Sequence, residues 1–150
     1  MLWVKTFFGI LFQTILLGIF LYLPALTLNW SDAFLLLTIH FLMTILASAY
    51  LLIVKPESIE ARMNYDSKTQ PKEDRLATAL MFSAIFVGLS LAPIDIFHLN
   101  LSSSFEGSIK NIGLAIYIIG MLLFMASINA NEFAETTVNI QEERGQKVID

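Results

Sequence analysis

Four long stretches without a charged side chain constrain the fold of this chain more than any other feature. Residues 6–28, 33–54, 76–94 and 111–131 contain no Asp, Glu, Lys or Arg. At about 1.5 Å per residue, a helix of roughly 20 residues spans the hydrocarbon layer of a bilayer and satisfies its own backbone hydrogen bonds. None of the four alternates polar and apolar residues as a membrane strand would. The sequence therefore predicts a single all-α integral membrane domain with four transmembrane helices.

The overall composition agrees with this interpretation and excludes several other classes of protein. Apolar residues make up 56% of the chain and charged residues only 15%, against roughly 45–50% and about 25% in soluble domains. The net charge of −4, with basic residues scattered among acids, argues against a nucleic-acid partner. With no cysteine and two histidines on different predicted elements, no metal site is expected.

The distribution of Lys and Arg predicts how the chain is oriented, since cytoplasmic loops carry an excess of them near the ends of spans. One side of the four predicted spans carries most of these residues: Lys5, Lys55, Arg62, Lys68, Lys72, Arg75, Arg144 and Lys147. The other side carries Lys110 alone. We therefore expect an inner-membrane type of protein with both termini, including the tail at 132–150, in the cytoplasm. The first apolar stretch exceeds the usual length in a signal peptide and lacks a cleavage site, so it is expected to remain as a span.

The connections between spans carry signals of their own. Residues 29–32 are too few for anything but a tight hairpin, in which Ser31 or Asp32 could cap the second span. Pro56 stands at a favoured first-turn position, and Ile59 and Met63 follow one turn apart among charged residues. This pattern predicts a short cytoplasmic interfacial helix between the second and third spans.

Two further signals concern the third span and the loop that follows it. Pro93 is expected to end or kink this span, because proline cannot donate a backbone hydrogen bond. Asp95 and His98 are then expected near the outer headgroups.

Polar residues inside the predicted spans are candidates for function because they are costly in hydrocarbon. We expect His40 to donate to a carbonyl or side chain of a neighbouring helix, and Gln13 and Thr14 to form similar interhelical hydrogen bonds. A proton relay through His40 would need an acidic partner at similar depth, and no Asp or Glu lies within any span. This weakens the alternative of a transporter or pump.

Small residues recur at helical spacing on the third and fourth spans, where they would allow helices to approach closely. The recurring residues are Ala84, Gly88 and Ala92, then Gly113, Gly120 and Ser127, then Ala126, Ala130 and Ala134. Packing within a four-helix bundle is the simpler interpretation. Association with another helix is the alternative.

The segment that follows the fourth span has a recognisable motif. Its residues are Asn131, Phe133, Val138, Ile140, Gln141, Glu143, Arg144, Gly145 and Val148. Pro56, Glu57 and Arg62 after the second span, and the pair Asp74 and Arg75 before the third, fit the same pattern. In order and in spacing to the spans, these motifs resemble the integral membrane methyltransferases of the isoprenylcysteine carboxyl methyltransferase family along nearly the whole chain.

This resemblance implies transfer of a methyl group from S-adenosylmethionine to a lipid-embedded acceptor, whose apolar part would enter laterally between the spans. It implies that Gln141 and Gln146 border the cofactor as neutral hydrogen-bonding groups, although a solvated tail would also account for them. No catalytic residue is assigned. Gln146 and Ile149 depart from the family's His and Val, and the family's Gly-Pro-Tyr and Arg-His-Pro motif does not occur in these 150 residues.

Two hypotheses therefore follow from the sequence. In the first, the chain is the N-terminal four-helix portion of such a methyltransferase, either truncated or a divergent short member, and its activity alone is an open question. In the second, it is a non-enzymatic four-helix membrane module or subunit that binds a helical partner through its small-residue stripes.

Overall fold

A computed structural model describes residues 1–63, 72–101 and 107–130 of the chain. This part is helical throughout, with short connections and no strand. Its helices are α1 (Leu2–Ala25), α2 (Ser31–Val54), α3 (Pro56–Met63), α4 (Lys72–Ile94) and α5 (Gly107–Ala130). A π-helical segment, Asp95–Leu99, continues α4. Helices α1, α2 and α5, and the segment Asp74–Leu99, are long and apolar enough to cross a membrane, which confirms the all-α class and four candidate spans.

The four long helices differ from the predicted spans mainly at their N-terminal ends. Each begins earlier than its uncharged stretch, and α1 includes Lys5, which was expected before the span. The reason is that an uncharged stretch marks only the apolar part of a helix, whereas a first turn tolerates charge. Helix α1 ends before residue 28 because Leu26 adopts a left-handed conformation, with φ 54°, and its N–H bonds to the Leu23 carbonyl.

The expected cap on α2 is wrong. Trp30 occupies the N-cap position in an extended conformation, and no side chain caps the helix. The Asp32 carboxylate instead accepts a hydrogen bond from Lys110 Nζ at 2.6 Å, which links the N-terminal ends of α2 and α5. Both side chains are about half exposed, so in water this ion pair would contribute little to stability.

Pro93 does not end the helical path. The α-helical geometry continues to Ile94, and the wider π turn of Asp95–Leu99 follows directly. A π turn beside a proline is physically reasonable, because the proline ring removes a donor and crowds the preceding turn. The path ends at Asn100, which is left-handed with φ 51° and donates its N–H to the Asp95 carbonyl at 2.7 Å.

Among the described elements, the four long helices form the row α4–α1–α2–α5, with no packing between α4 and α5. Phe20 on α1 stacks on Phe86 of α4, with ring centroids 4.2 Å apart. Ser90 donates a hydrogen bond to the Phe20 carbonyl at 3.3 Å. His98 Nε2, further along the same helical path, lies 2.7 Å from the Pro24 carbonyl of α1. The contacts therefore advance in the same direction on α1 and α4, which are parallel, and the bonds Lys110–Asp32 and Lys55–Asn129 make α2 and α5 parallel as well.

The glycines of the small-residue stripes make no close helix contact in the described part of the chain. A Cβ atom added at Gly88, Gly113 or Gly120 would meet no atom within 4 Å. The close approach occurs elsewhere, at Gly18 of α1, where an added Cβ would lie 3.5 Å from Leu37 Cδ1 of α2. Close packing at the α4 and α5 glycines is therefore not observed, although Ala84, Gly88 and Ala92 line an open pocket between α4, α1 and α2, and Ala126 faces a cavity shared with α2.

The buried apolar cluster is small and lies where α2 ends and α3 begins. It consists of Leu51, Leu52 and Ile59, with Leu2 and Ile128 packed against it. Elsewhere large apolar side chains are exposed along all four long helices, and no residue of α5 is buried. So much exposed apolar surface is characteristic of a protein whose surroundings are lipid rather than water.

Candidate functional site

A cavity of about 510 Å³ lies between α1, α2, α3 and α5. This volume falls in the range of small-molecule sites, roughly 300–1,000 Å³. Much of its wall on α5 is apolar and adaptable, since it includes Met121, Phe124 and Met125. Polar side chains interrupt this wall at two levels, one near the middle of α2 and one at its C-terminal end.

At the middle level, His40 of α2 faces Tyr117 of α5. His40 Nδ1 lies 2.6 Å from the Tyr117 hydroxyl oxygen. The expectation of a hydrogen bond between His40 and a neighbouring helix is confirmed, whereas which of the two groups donates depends on the imidazole tautomer. The imidazole is only 7% exposed, and its other nitrogen, Nε2, has no hydrogen-bond partner in the described part of the chain.

Tyr117 could have been found from the sequence by comparing depths. His40 and Tyr117 each lie about 15 Å along their own helix from its N-terminal end, at a rise of about 1.5 Å per residue. A four-span topology makes the second and fourth spans parallel, but the sequence does not show that they are neighbours, so it does not predict the contact with Tyr117.

We expect Tyr117→Phe to lower the free energy of unfolding by about 1–2 kcal/mol, the range of hydrogen bonds between membrane helices in model peptides. The physical reason is that His40 loses its partner on α5 while remaining buried. Equilibrium unfolding in mixed micelles titrated with dodecyl sulfate would measure the change. Tyr50→Phe serves as the matched control, because the Tyr50 side chain is exposed. Equal losses in the two variants would contradict a specific His40–Tyr117 bond.

The threonines of the spans bond mostly within their own helices. Thr14 donates to the Ile10 carbonyl of α1 at 2.9 Å, so the expected interhelical bond of Thr14 is wrong. A threonine hydroxyl can reach the carbonyl four residues earlier, which satisfies it locally. Gln13 contributes to the wall of the cavity, and Thr44, one turn after His40, lines the same cavity with a buried hydroxyl that lacks a partner among the described residues.

At the second level, the end of α5 meets the start of α3. Lys55, the residue between α2 and α3, donates from Nζ to the Asn129 carbonyl at 2.7 Å. Arg62 of α3 and Asn129 of α5 line the same cavity. The structure thus brings together the helix that contains Pro56, Glu57 and Arg62 and the end of α5, which leads into residues 131–150.

Ile59 and Ala126, also singled out from the sequence, line this cavity. The remaining residues singled out lie away from it or outside the described residues. Gln141 and Gln146 fall in the second group, with the rest of residues 131–150. His98 lies in the π-helical segment, where Nε2 is 2.7 Å from the Pro24 carbonyl at the end of α1. Within residues 1–63, 72–101 and 107–130, no three His, Asp or Glu side chains group as metal ligands would.

Comparisons of the chain with protein-family models, with curated proteins and with solved structures find no match. The resemblance to membrane methyltransferases therefore depends on the sequence motifs alone. What the structure adds is the geometry of the cavity and of the residues around it.

Proposed function

We propose that this chain is a member of the isoprenylcysteine carboxyl methyltransferase-like family and serves S-adenosylmethionine-dependent methylation of a lipid-embedded acceptor. The motif segments that carry the resemblance are far apart in the sequence. The observation that supports the proposal most is that Arg62 and Asn129 line one cavity, with Lys55 bonded to the Asn129 carbonyl. The α3 motif and the segment that begins at Asn131 would therefore act at one place.

The proposed location is a bacterial inner membrane, with both termini and α3 on the cytoplasmic side. The ends of the helices support this orientation. Along the helix axes, Lys110 lies at one end of the bundle. All the other basic residues in the described part lie at the opposite end, namely Lys5, Lys55, Arg62, Lys72 and Arg75. The excess of basic residues marks the cytoplasmic side. Helix α3 would then lie at the membrane interface, with the charged residues Glu57 and Glu60 exposed to water.

The described lining of the cavity suits the apolar part of a methyl acceptor better than it suits S-adenosylmethionine. Its wall on α5 is rich in Met and Phe, its charged residue is Arg62, and none of its described residues is a carboxylate. An arginine would repel the sulfonium charge of the cofactor. The proposal therefore places the cofactor against residues 131–150, with Gln141 and Gln146 as hydrogen-bonding groups.

When bound, the cofactor would supply an activated methyl group for direct displacement by the acceptor. The protein's own part in such a reaction is mainly to position the reactants and exclude water. The Met and Phe side chains of α5 would exclude water, and Arg62 would hold the polar end of the acceptor at the cytoplasmic end of the cavity.

Equilibrium binding of radiolabelled S-adenosylmethionine to the purified chain in lipid nanodiscs tests this function. We expect saturable binding that weakens about two- to tenfold in Gln141→Ala and in Gln146→Ala, since one neutral hydrogen bond contributes about 0.5–1.5 kcal/mol. Gln70→Ala is the matched control, because it removes a glutamine outside the motif. Absence of saturable binding would refute the claim that these 150 residues form a cofactor site.

The second candidate function is a non-enzymatic membrane module. The observation that favours it is the open space around Gly88, Gly113 and Gly120, where a partner helix could approach α4 or α5 closely. The same binding measurement separates the two candidates, because a module has no reason to bind S-adenosylmethionine. Saturable binding that responds to Gln141→Ala would exclude a purely structural role.

A further inference from the structure

Two polar atoms in the cavity wall lack hydrogen-bond partners at a depth where water is scarce. They are His40 Nε2 and Thr44 Oγ1, which lie one helical turn apart on the same face of α2 and are both buried. No other described residue supplies a hydrogen-bond partner to either atom. A polar group left unsatisfied in an apolar environment is costly, so this pair would gain from a ligand that satisfies both atoms.

The Thr44 hydroxyl differs from those of Thr6, Thr14 and Thr38 in its hydrogen bonding. Thr6, Thr14 and Thr38 each donate to the carbonyl four residues earlier, at 3.0, 2.9 and 2.8 Å. The Thr44 hydroxyl makes no such bond to the His40 carbonyl. It is buried without a partner among the described residues, in a side chain that lines the cavity.

The tautomer that satisfies both groups has the Tyr117 hydroxyl donating to His40 Nδ1, because Nδ1 is the acceptor within its reach among the described residues. A tyrosine hydroxyl that donates to Nδ1 requires the neutral imidazole to carry its hydrogen on Nε2. His40 Nε2–H and the Thr44 hydroxyl then form a pair of donors. A carbonyl oxygen has two lone pairs and no hydrogen of its own, so it can accept from both.

From this arrangement we propose that the cavity binds an uncharged, lipid-soluble molecule whose carbonyl oxygen accepts hydrogen bonds from His40 and Thr44. The cavity is large enough for such a ligand, at about 510 Å³. The ligand is uncharged because no charged side chain of the described wall lies near the two donors. The charged residue of that wall, Arg62, belongs to α3, and His40 lies about 20 Å from the C-terminal end of α2, where α3 begins. Both donor atoms are covered in the empty cavity, and the flexible side chains Met121 and Met125 can shift to admit the ligand.

The test uses 2-methyl-1,4-naphthoquinone as the probe and 2-methylnaphthalene as its counterpart without carbonyl oxygens. The chain has two histidines, so ¹⁵N-histidine labelling of the full chain in nanodiscs gives two imidazole spectra. We expect the quinone to shift the His40 Nε2 resonance saturably while His98 stays unchanged. The hydrocarbon should bind about three- to tenfold more weakly, the effect of one or two neutral hydrogen bonds.

Thr44→Val keeps the shape of the side chain and removes its hydroxyl. It is expected to weaken quinone binding about two- to tenfold and to leave hydrocarbon binding unchanged. Thr14→Val is the matched control, because the Thr14 hydroxyl is satisfied within α1, and it should leave both affinities unchanged. Equal affinities for the two probes, an unshifted His40 at saturation, or equal shifts at both histidines would overturn the proposal. The result does not depend on methyl transfer, since S-adenosylmethionine is absent from the measurement and the proposed hydrogen bonds involve no residue of 131–150.

Discussion

A Ser108→Cys variant is expected to react with a membrane-impermeant maleimide on intact cells, whereas a Glu57→Cys variant should react only after the cytoplasmic side is opened. Ser108 lies in the first turn of α5, beside the Asp32–Lys110 pair. Glu57 lies in the first turn of α3, at the opposite end of the helix axes. Both residues are exposed. The chain contains no cysteine, so each variant carries a single thiol and the expected difference is nearly all-or-none.

The matched control for this experiment is Ile116→Cys. Ile116 is 65% exposed in the protein alone, yet it lies near the middle of α5 and should be covered by lipid. We expect it to remain unlabelled both before and after permeabilisation, and to react once detergent replaces the bilayer. Labelling of Glu57→Cys on intact cells would reverse the proposed orientation, and labelling of Ile116→Cys in intact membranes would mean that α5 does not span them.

The four long helices could be predicted from the sequence because the thickness of the bilayer sets the length of an uncharged stretch. Their ends could not be read as accurately. Lys5 and Lys72 lie inside helices because backbone hydrogen bonding extends to residues before the uncharged stretch begins. Leu26 ends α1 through a backbone conformation that no composition rule marks.

The sequence does not predict which helices pack against each other, and this limited the prediction of the candidate site. Recurring glycines on α4 and α5 suggested close contacts there, whereas the close contact occurs between Gly18 and Leu37. A small residue permits close approach without specifying a partner. For the same reason His40 could be singled out as polar and intramembrane, but its partner Tyr117 depends on α2 and α5 being neighbours.

Ile59→Ala is expected to release α3 from the rest of the protein. Helix α3 has only eight residues, and isolated helices this short are unstable in water, so packing must hold it. Ile59 is 7% exposed and forms the buried cluster with Leu51 and Leu52. Truncating a buried Ile to Ala costs about 2–5 kcal/mol. Hydrogen exchange of the α3 amides should therefore accelerate by about tenfold for every 1.4 kcal/mol lost, while the middle of α2 stays protected.

Glu60→Ala provides the matched control, since Glu60 is the next residue on α3 and is exposed. It should leave the exchange of α3 nearly unchanged. Because Arg62 and Ile59 both line the cavity, release of α3 would open the end of the cavity beside α3 even though no polar group had been altered. If the α3 amides of the Ile59→Ala and Glu60→Ala variants exchanged at the same rate, the buried cluster would not be what holds α3 in place. Other contacts would then have to position Arg62 in the cavity wall.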